Sequence, residues 1–358
     1  MMGGDVRFCS AVGDDLSGKA ALEALSVEGL DSSAVKVLPS ESSRRTAQYI
    51  AVNEQSKDLA IAVADMSILD AAEAGQEDVI AQAFDDLWLP QLQQSNPTHV
   101  AIDANWPSQY LGRWLGAAKD IDAHVTFEPV SNAKSIIPFQ LPAPPGQKQN
   151  ESLPAFPQPA VHLTTPNSYE LSAMYTAAHS NGFFERQDWW EVIDALGIPS
   201  SGARTAMALA TSPELVDQGI PQQSVQLLPF IHSICTKLGA KGVLLTQLLK
   251  AGDPRLTSGA YAPHILSRCN NGTEDTLGVG GVYMRLFPSV EEVKADEIVS
   301  VNGVGDTFAG TLIAELAKSK AQGKEKGVEE CIDIAQRAAV LTLKSAAAVS
   351  PELTALRN

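Results

Sequence analysis

Short apolar, β-compatible runs alternate along this chain with segments whose apolar positions recur at helical spacing, the pattern of a mostly parallel sheet covered by helices on both faces. Val6 to Val12 reads as a strand, and Gly13-Asp14-Asp15-Leu16-Ser17-Gly18 turns it into a helix carrying Ala21, Leu22 and Leu25. Further strands are expected at Val100 to Asp103, Ala123 to Phe127, Val161 to Leu163, Gly242 to Thr246 and Val282 to Leu286, with helices between them. Such crossovers are right-handed, and ligands sit at the carboxyl ends of the strands. One stretch departs from the alternation. Val35 to Leu38, Thr46 to Val52 and Leu59 to Val63 are strand-like without intervening helices, so residues 34–66 predict a small antiparallel excursion. Two insertions stand out as well. Residues 138–160 hold seven prolines and predict an irregular loop, whereas residues 185–226 carry helical stretches and a Trp189-Trp190 pair expected to pack rather than to stack on a base.

Composition narrows the class. The 358 residues are 44% hydrophobic and 19% charged, which suits one α/β domain over residues 1–358. No run reaches the ~18 apolar residues of a membrane helix, and the opening Met1 to Arg7 lacks the basic and apolar regions of a signal peptide. Cys9, Cys235, Cys269 and Cys331 are far apart, which predicts neither a disulfide framework nor a zinc site and fits a reducing, cytoplasmic setting. A net charge of −16 argues against nucleic acid as a partner, because phosphate backbones are held by clustered cations. The six scattered histidines form no metal-ligand pair at helical spacing and read as surface or structural residues.

The richest chemistry lies in Asn302-Gly303-Val304-Gly305-Asp306-Thr307-Phe308-Ala309-Gly310. It follows the β-compatible Ile298, Val299 and Val301 and opens a segment with Phe308, Leu312, Ile313 and Leu316 at helical spacing, so it predicts a strand-to-helix turn. Gly303, Val304 and Gly305 would leave backbone N–H groups uncovered at a helix N-terminus, where the dipole also favours an anion. Asp306 beside that anion hole is placed to take a proton from a hydroxyl while the N–H groups stabilise a transferring phosphoryl group. A bare Gly-x-Gly-Asp is also ordinary helix-capping chemistry.

The longer string resembles the signature of the ribokinase-like (PfkB) carbohydrate kinases, with Val304 in place of the usual Ala. The resemblance implies a three-layer sandwich with a central, mostly parallel sheet, the 34–66 excursion serving as a lid over the acceptor and as a dimer contact. It also implies ATP and Mg²⁺. Thr165-Pro166-Asn167-Ser168-Tyr169-Glu170 resembles the family's Asn-x-x-Glu element, which implies Asn167 near the nucleotide phosphates and Glu170 near a hydrated Mg²⁺ through water. Gly239 to Thr246 resembles the strand leading to the nucleotide site and implies a phosphate contact from Thr246, although Gln247 to Asp253 departs from the family's Gly-rich continuation.

Within the family the chain is most similar to pseudouridine kinases. Ala64-Asp65-Met66 and Glu128-Pro129-Val130-Ser131-Asn132-Ala133-Lys134 are the discriminating strings. The implied reaction is ATP-dependent phosphorylation of the pseudouridine 5'-hydroxyl, with Thr46 and Tyr49 of the lid on the nucleoside. Lys134 is placed either to orient a phosphate or to pair with Glu128, and the pairing is the expectation. The family's additional first strand, with its sugar-binding Asp, and the following Gly-Gly-x-x-x-Asn helix have no counterpart before Val6. The alternatives are therefore another ribokinase-like activity, on ribose or adenosine, and a truncated, non-catalytic nucleotide-binding relative.

Overall fold

Seven strands share the central sheet in the order β10-β11-β9-β8-β7-β6-β5. The computed structural model describes residues 2–40, 44–54, 59–70, 78–143, 146, 148–198, 201–269 and 277–357. In chain order the strands are β1 (Ser10–Gly13), β2 (Val35–Leu38), β3 (Gln48–Asn53), β4 (Leu59–Asp65), β5 (His99–Asp103), β6 (His124–Glu128), β7 (Val161–Thr164), β8 (Ile231–Lys237), β9 (Val243–Lys250), β10 (Ile265–Arg268) and β11 (Val279–Phe287). Strands β5 to β8 run parallel, and β9, β11 and β10 continue the sheet as antiparallel neighbours. The carboxyl ends of β6, β7 and β8 therefore open on one rim.

Side chains alternate between the two faces of these strands, and each face has its own core. On one, Leu163, Cys235, Leu245 and Tyr283 meet Phe308, Leu312 and Leu316 of the helix Val304–Ala321 and Cys331, Ile332 and Ala335 of Val328–Leu343. On the other, Phe127, Ile234 and Leu244 join the larger core with Phe139, Phe183 and Phe230. Burying Phe308, Leu312 and Leu316 contributes ~1.5–3 kcal/mol each and fixes where the Asp306 helix begins.

Expectations change at Val35 to Leu38 and at Ile298 to Val301. Val35 to Leu38 is not part of the antiparallel excursion, because β2 pairs in parallel with β1 in a sheet of their own. The excursion is the hairpin of β3 and β4 alone. The run from Ile298 to Val301 is not a strand; Val299 N–H instead donates to Leu343 C=O, tying the chain to the last helix. Strands β8 and β10 went unread, although β8 holds the middle of the sheet. The described residues of the 138–160 stretch are irregular apart from short 3-10 turns, yet they send Phe139, Leu141, Leu153 and Phe156 into the core. In the helical 185–226 stretch Trp189 is buried and its Nε1–H donates to Gln226 C=O at 2.9 Å, while Trp190 stays exposed.

Candidate active site

The site starts at Gly303. Its φ of +74° is open to glycine, and a β-carbon there would lie 1.8 Å from the Ala348 carbonyl oxygen, so no larger residue fits without moving the chain. The turn so formed releases the helix Val304–Ala321, whose first backbone bond runs from Thr307 N–H to Gly303 C=O at 2.8 Å. The N–H groups of Val304, Gly305 and Asp306 come before that bond and point out of the helix end. Asp306 sits in this first turn with its side chain exposed, while Thr307 and Phe308 beside it are buried. An exposed carboxylate on a helix end anchored by its neighbours can meet a substrate hydroxyl without the helix shifting.

A second wall faces the turn. Lys237 ends β8, and its ammonium lies so near the turn that a methyl group built on Gly305 would sit 3.3 Å from Nζ. The same Nζ donates to Glu128 Oε1 at 3.0 Å at the end of β6, and Thr165 Oγ1 donates to Glu128 Oε2. Burial pushes the Glu128 carboxyl up, and the Lys237 charge with the two hydrogen bonds pulls it back. Lys237 N–H donates to Pro166 C=O at 2.7 Å, which docks β8 against the start of the next element. There Asn167 caps the helix Ser168–Ser180, its Oδ1 accepting from the N–H groups of Tyr169 and Glu170 at 2.9 Å. Glu170 answers from a buried position, its Oε2 accepting from Asn167 N–H at 2.8 Å. Asn167, Lys237, Gly239 and Lys241 line a cavity of about 660 Å³. Amide and ammonium donors around a space of that size suit a multiply charged anion.

The predicted residues divide by place. Gly303, Val304, Gly305 and Asp306 form one turn, and Asn167 reaches it through Lys237. Glu170 spends one carboxylate oxygen on its own helix. Thr246 lies in mid-strand, fully buried between Ile234 and Met284, and is not among the residues lining the cavity. Thr46 precedes the hairpin, nearly buried, its Oγ1 accepting from Gly13 N–H at 2.9 Å and donating to Asp15 Oδ1 at 2.7 Å. Tyr49 is exposed on β3. Lys134 does not pair with Glu128: its Nζ donates to Asn105 Oδ1 at 2.6 Å, close to the charges of Asp103 and Asp70. Glu128 is claimed by Lys237, which sequence reading missed together with Thr165. Among the described residues no group of three or more His, Cys, Asp and Glu side chains converges as a metal cage would require.

Residues 272–355 match the pfkB family carbohydrate kinases. Across 99% of its length the chain is 28% identical to the pseudouridine-metabolizing bifunctional protein of Schizosaccharomyces pombe, and it spans 41% of that relative. A ribokinase from Giardia lamblia superposes with a TM-score of 0.56 at 13% identity, covering 98% of this chain and 81% of the other. An Arabidopsis thaliana ribokinase complexed with ribose and ATP superposes with a TM-score of 0.53 at 14% identity, covering 98% and 81%. The fold is ribokinase-like.

Proposed function

We propose, from the pfkB-family match over residues 272–355 and the ribokinase-like fold, that the chain is a phosphotransferase whose reaction is ATP-dependent phosphorylation of a nucleoside, pseudouridine, at the 5'-hydroxyl. The observation carrying the phosphoryl-transfer reading is the exposed Asp306 carboxylate beside three outward N–H groups. The pseudouridine reading rests on the Ala64-Asp65-Met66 and Glu128-to-Lys134 strings and on the similarity, along 99% of this chain, to a 41% share of the S. pombe protein.

In this reaction the 5'-oxygen forms a bond to the γ-phosphorus of ATP, the bond from that phosphorus to the ADP oxygen breaks, and Asp306 accepts the hydroxyl proton. Val304, Gly305 and Asp306 N–H groups stabilise charge on the phosphoryl oxygens. Asn167 and the cavity walls hold the triphosphate. The donor set fits ATP, but the described residues do not form a cage for Mg²⁺. Any Mg²⁺ would travel with the nucleotide phosphates, with Glu170 adding negative charge through water, and no step here depends on it. The β3–β4 hairpin would close over the acceptor with Tyr49, and its outward Ile50, Val52, Ile61 and Val63 are suited to a contact with a second copy.

The test is Asp306→Asn. Turnover of pseudouridine should fall about 10²–10⁴-fold while ATP binding and melting temperature hold, the usual contribution of a positioned base. Loss of stability at unchanged kcat would make Asp306 a helix cap. Wild-type chain assayed beside it on pseudouridine, uridine, ribose and adenosine decides the acceptor, and faster turnover of ribose or adenosine would favour the general sugar- or nucleoside-kinase reading.

A further inference from the structure

We propose that Lys237 is a catalytic residue, a movable cation that grips the transferring phosphoryl group and is held ready by Glu128. The inference rests on the phosphoryl-transfer reading above and adds a residue to it. Lys237 Nζ belongs at once to the cavity lined by Asn167 and Gly239 and to the rim of the Gly303–Asp306 turn, within a methyl's reach of Gly305.

Its backbone is fixed, and its head is free to choose. The N–H bond to Pro166 and the bridge to Asn167 anchor the main chain at the end of β8. The ammonium has three donors, and Glu128 Oε1 takes one. The pair is mostly withdrawn from water, with the side chains 19% and 17% exposed, so a lysine there without a counter-charge would be costly. Glu128 meets that cost in the resting chain. Its other oxygen is held by Thr165, so the carboxylate cannot follow the lysine. When a phosphoryl group with growing equatorial charge reaches the turn, the ammonium has a second and more highly charged acceptor on its open side. A lysine acts here as a point charge, which suits a group that changes position during the reaction.

The competing explanation is structural: Lys237 does no more than neutralise Glu128. Paired substitutions separate the two. Lys237→Met alone leaves a buried carboxylate unpaired, so its effect on folding is uninformative by itself; Lys237→Met with Glu128→Gln removes both charges. We expect the double variant to regain the wild-type melting temperature, to keep a kcat at least about 10²-fold down, as for loss of one transition-state donor, and to lose its preference for ATP over AMP in direct binding titrations. Glu128→Gln alone should lower kcat less than the double variant does, because the ammonium remains although its counter-charge is gone. Wild-type kcat and ATP preference in the double variant would overturn the proposal, and so would a kcat in Glu128→Gln as low as that of the double variant. Should wild-type protein phosphorylate none of the nucleosides, the proposed reaction fails. The ATP-over-AMP preference, read without turnover, then still decides whether Lys237 holds the terminal phosphate.

Discussion

At the scale of single residues, Gly303 carries the greatest structural demand in the site. Gly303→Ala must place a β-carbon against the Ala348 carbonyl at a φ that costs a non-glycine residue about 1–3 kcal/mol before any clash. We expect a lower melting temperature together with a loss of kcat as large as that of Asp306→Asn, because the turn that aims the carboxylate would move. A variant with intact kcat would show that the turn does not set the position of Asp306. This residue and its glycines were legible because they are contiguous, and a local string can be matched to a local geometry. Lys237, Glu128 and Thr165 were not. They come from the ends of β8, β6 and the turn after β7, more than 30 residues apart, and meet only because the parallel strands end on one rim. The trace they left is slight: each charged residue is the last of its strand, as Lys237 ends Ile231–Lys237 and Glu128 ends His124–Glu128.

At the scale of elements, the hydrophobic pattern located most strands of the sheet and erred where a strand's partner lies far away in sequence. The run Val35 to Leu38 looks the same whether it joins a hairpin or pairs with β1, since pairing is set by packing and not by local composition. Strand β8 was hidden by its mixed sequence, with His232, Ser233 and Thr236 among apolar residues; Ser233 is satisfied in the core by Gln247 Nε2 at 3.0 Å. The turn before the hairpin raises a sharper question. The Thr46 hydroxyl already serves Gly13 and Asp15, and Thr46 N–H donates to Asp15 Oδ2 at 2.8 Å, bonds that hold the Asp15 carboxyl below its ordinary range. Thr46→Val would strand the Gly13 N–H in a buried position, at a cost of ~1–3 kcal/mol. The expected result is a lowered melting temperature with the KM for the nucleoside changed by less than about threefold. A KM raised tenfold or more at unchanged stability would instead assign the hydroxyl to the acceptor, as the family resemblance implies.

At the scale of the molecule, the four histidines of the central sheet act as a unit that no spacing in the sequence announces. His99, His124, His162 and His232 lie on β5, β6, β7 and β8, and their rings follow one another at 5.5, 4.3 and 6.3 Å across the strands. They sit near the amino ends of those strands, opposite the rim that carries Lys237. The groups facing them are mostly cationic, Lys320 from the helix Val304–Ala321 and Lys250 from β9, with Asp122 the one acid acting on His162. Burial holds His99 down to about 4 and His124 and His232 down to about 3, with neighbouring histidines and lysines adding to the effect, and His162 is lowered as well. His124 Nδ1 and His232 Nε2 are buried without a partner, so a proton gained there would find no acceptor. The sign follows from linkage. An unfolded chain protonates these rings below its ordinary histidine pKa of ~6.5, whereas the folded sheet keeps them neutral. Their full contribution to stability is therefore present above about pH 6.5 and is lost as the pH falls toward the folded values. At pH 5 His124 and His232 alone would each withdraw about 2 kcal/mol, from 1.36 kcal/mol per pH unit. That is a large share of the ~5–15 kcal/mol that holds a domain together. Chemical denaturation between pH 8 and pH 5 should show stability nearly flat at first and then falling steeply below pH 6.5. His124→Phe should flatten the fall. Equal pH dependence in wild type and variant would mean that the acid-labile groups lie elsewhere, and stability unchanged down to pH 5 would mean that the row of imidazoles takes up its protons without opening the sheet.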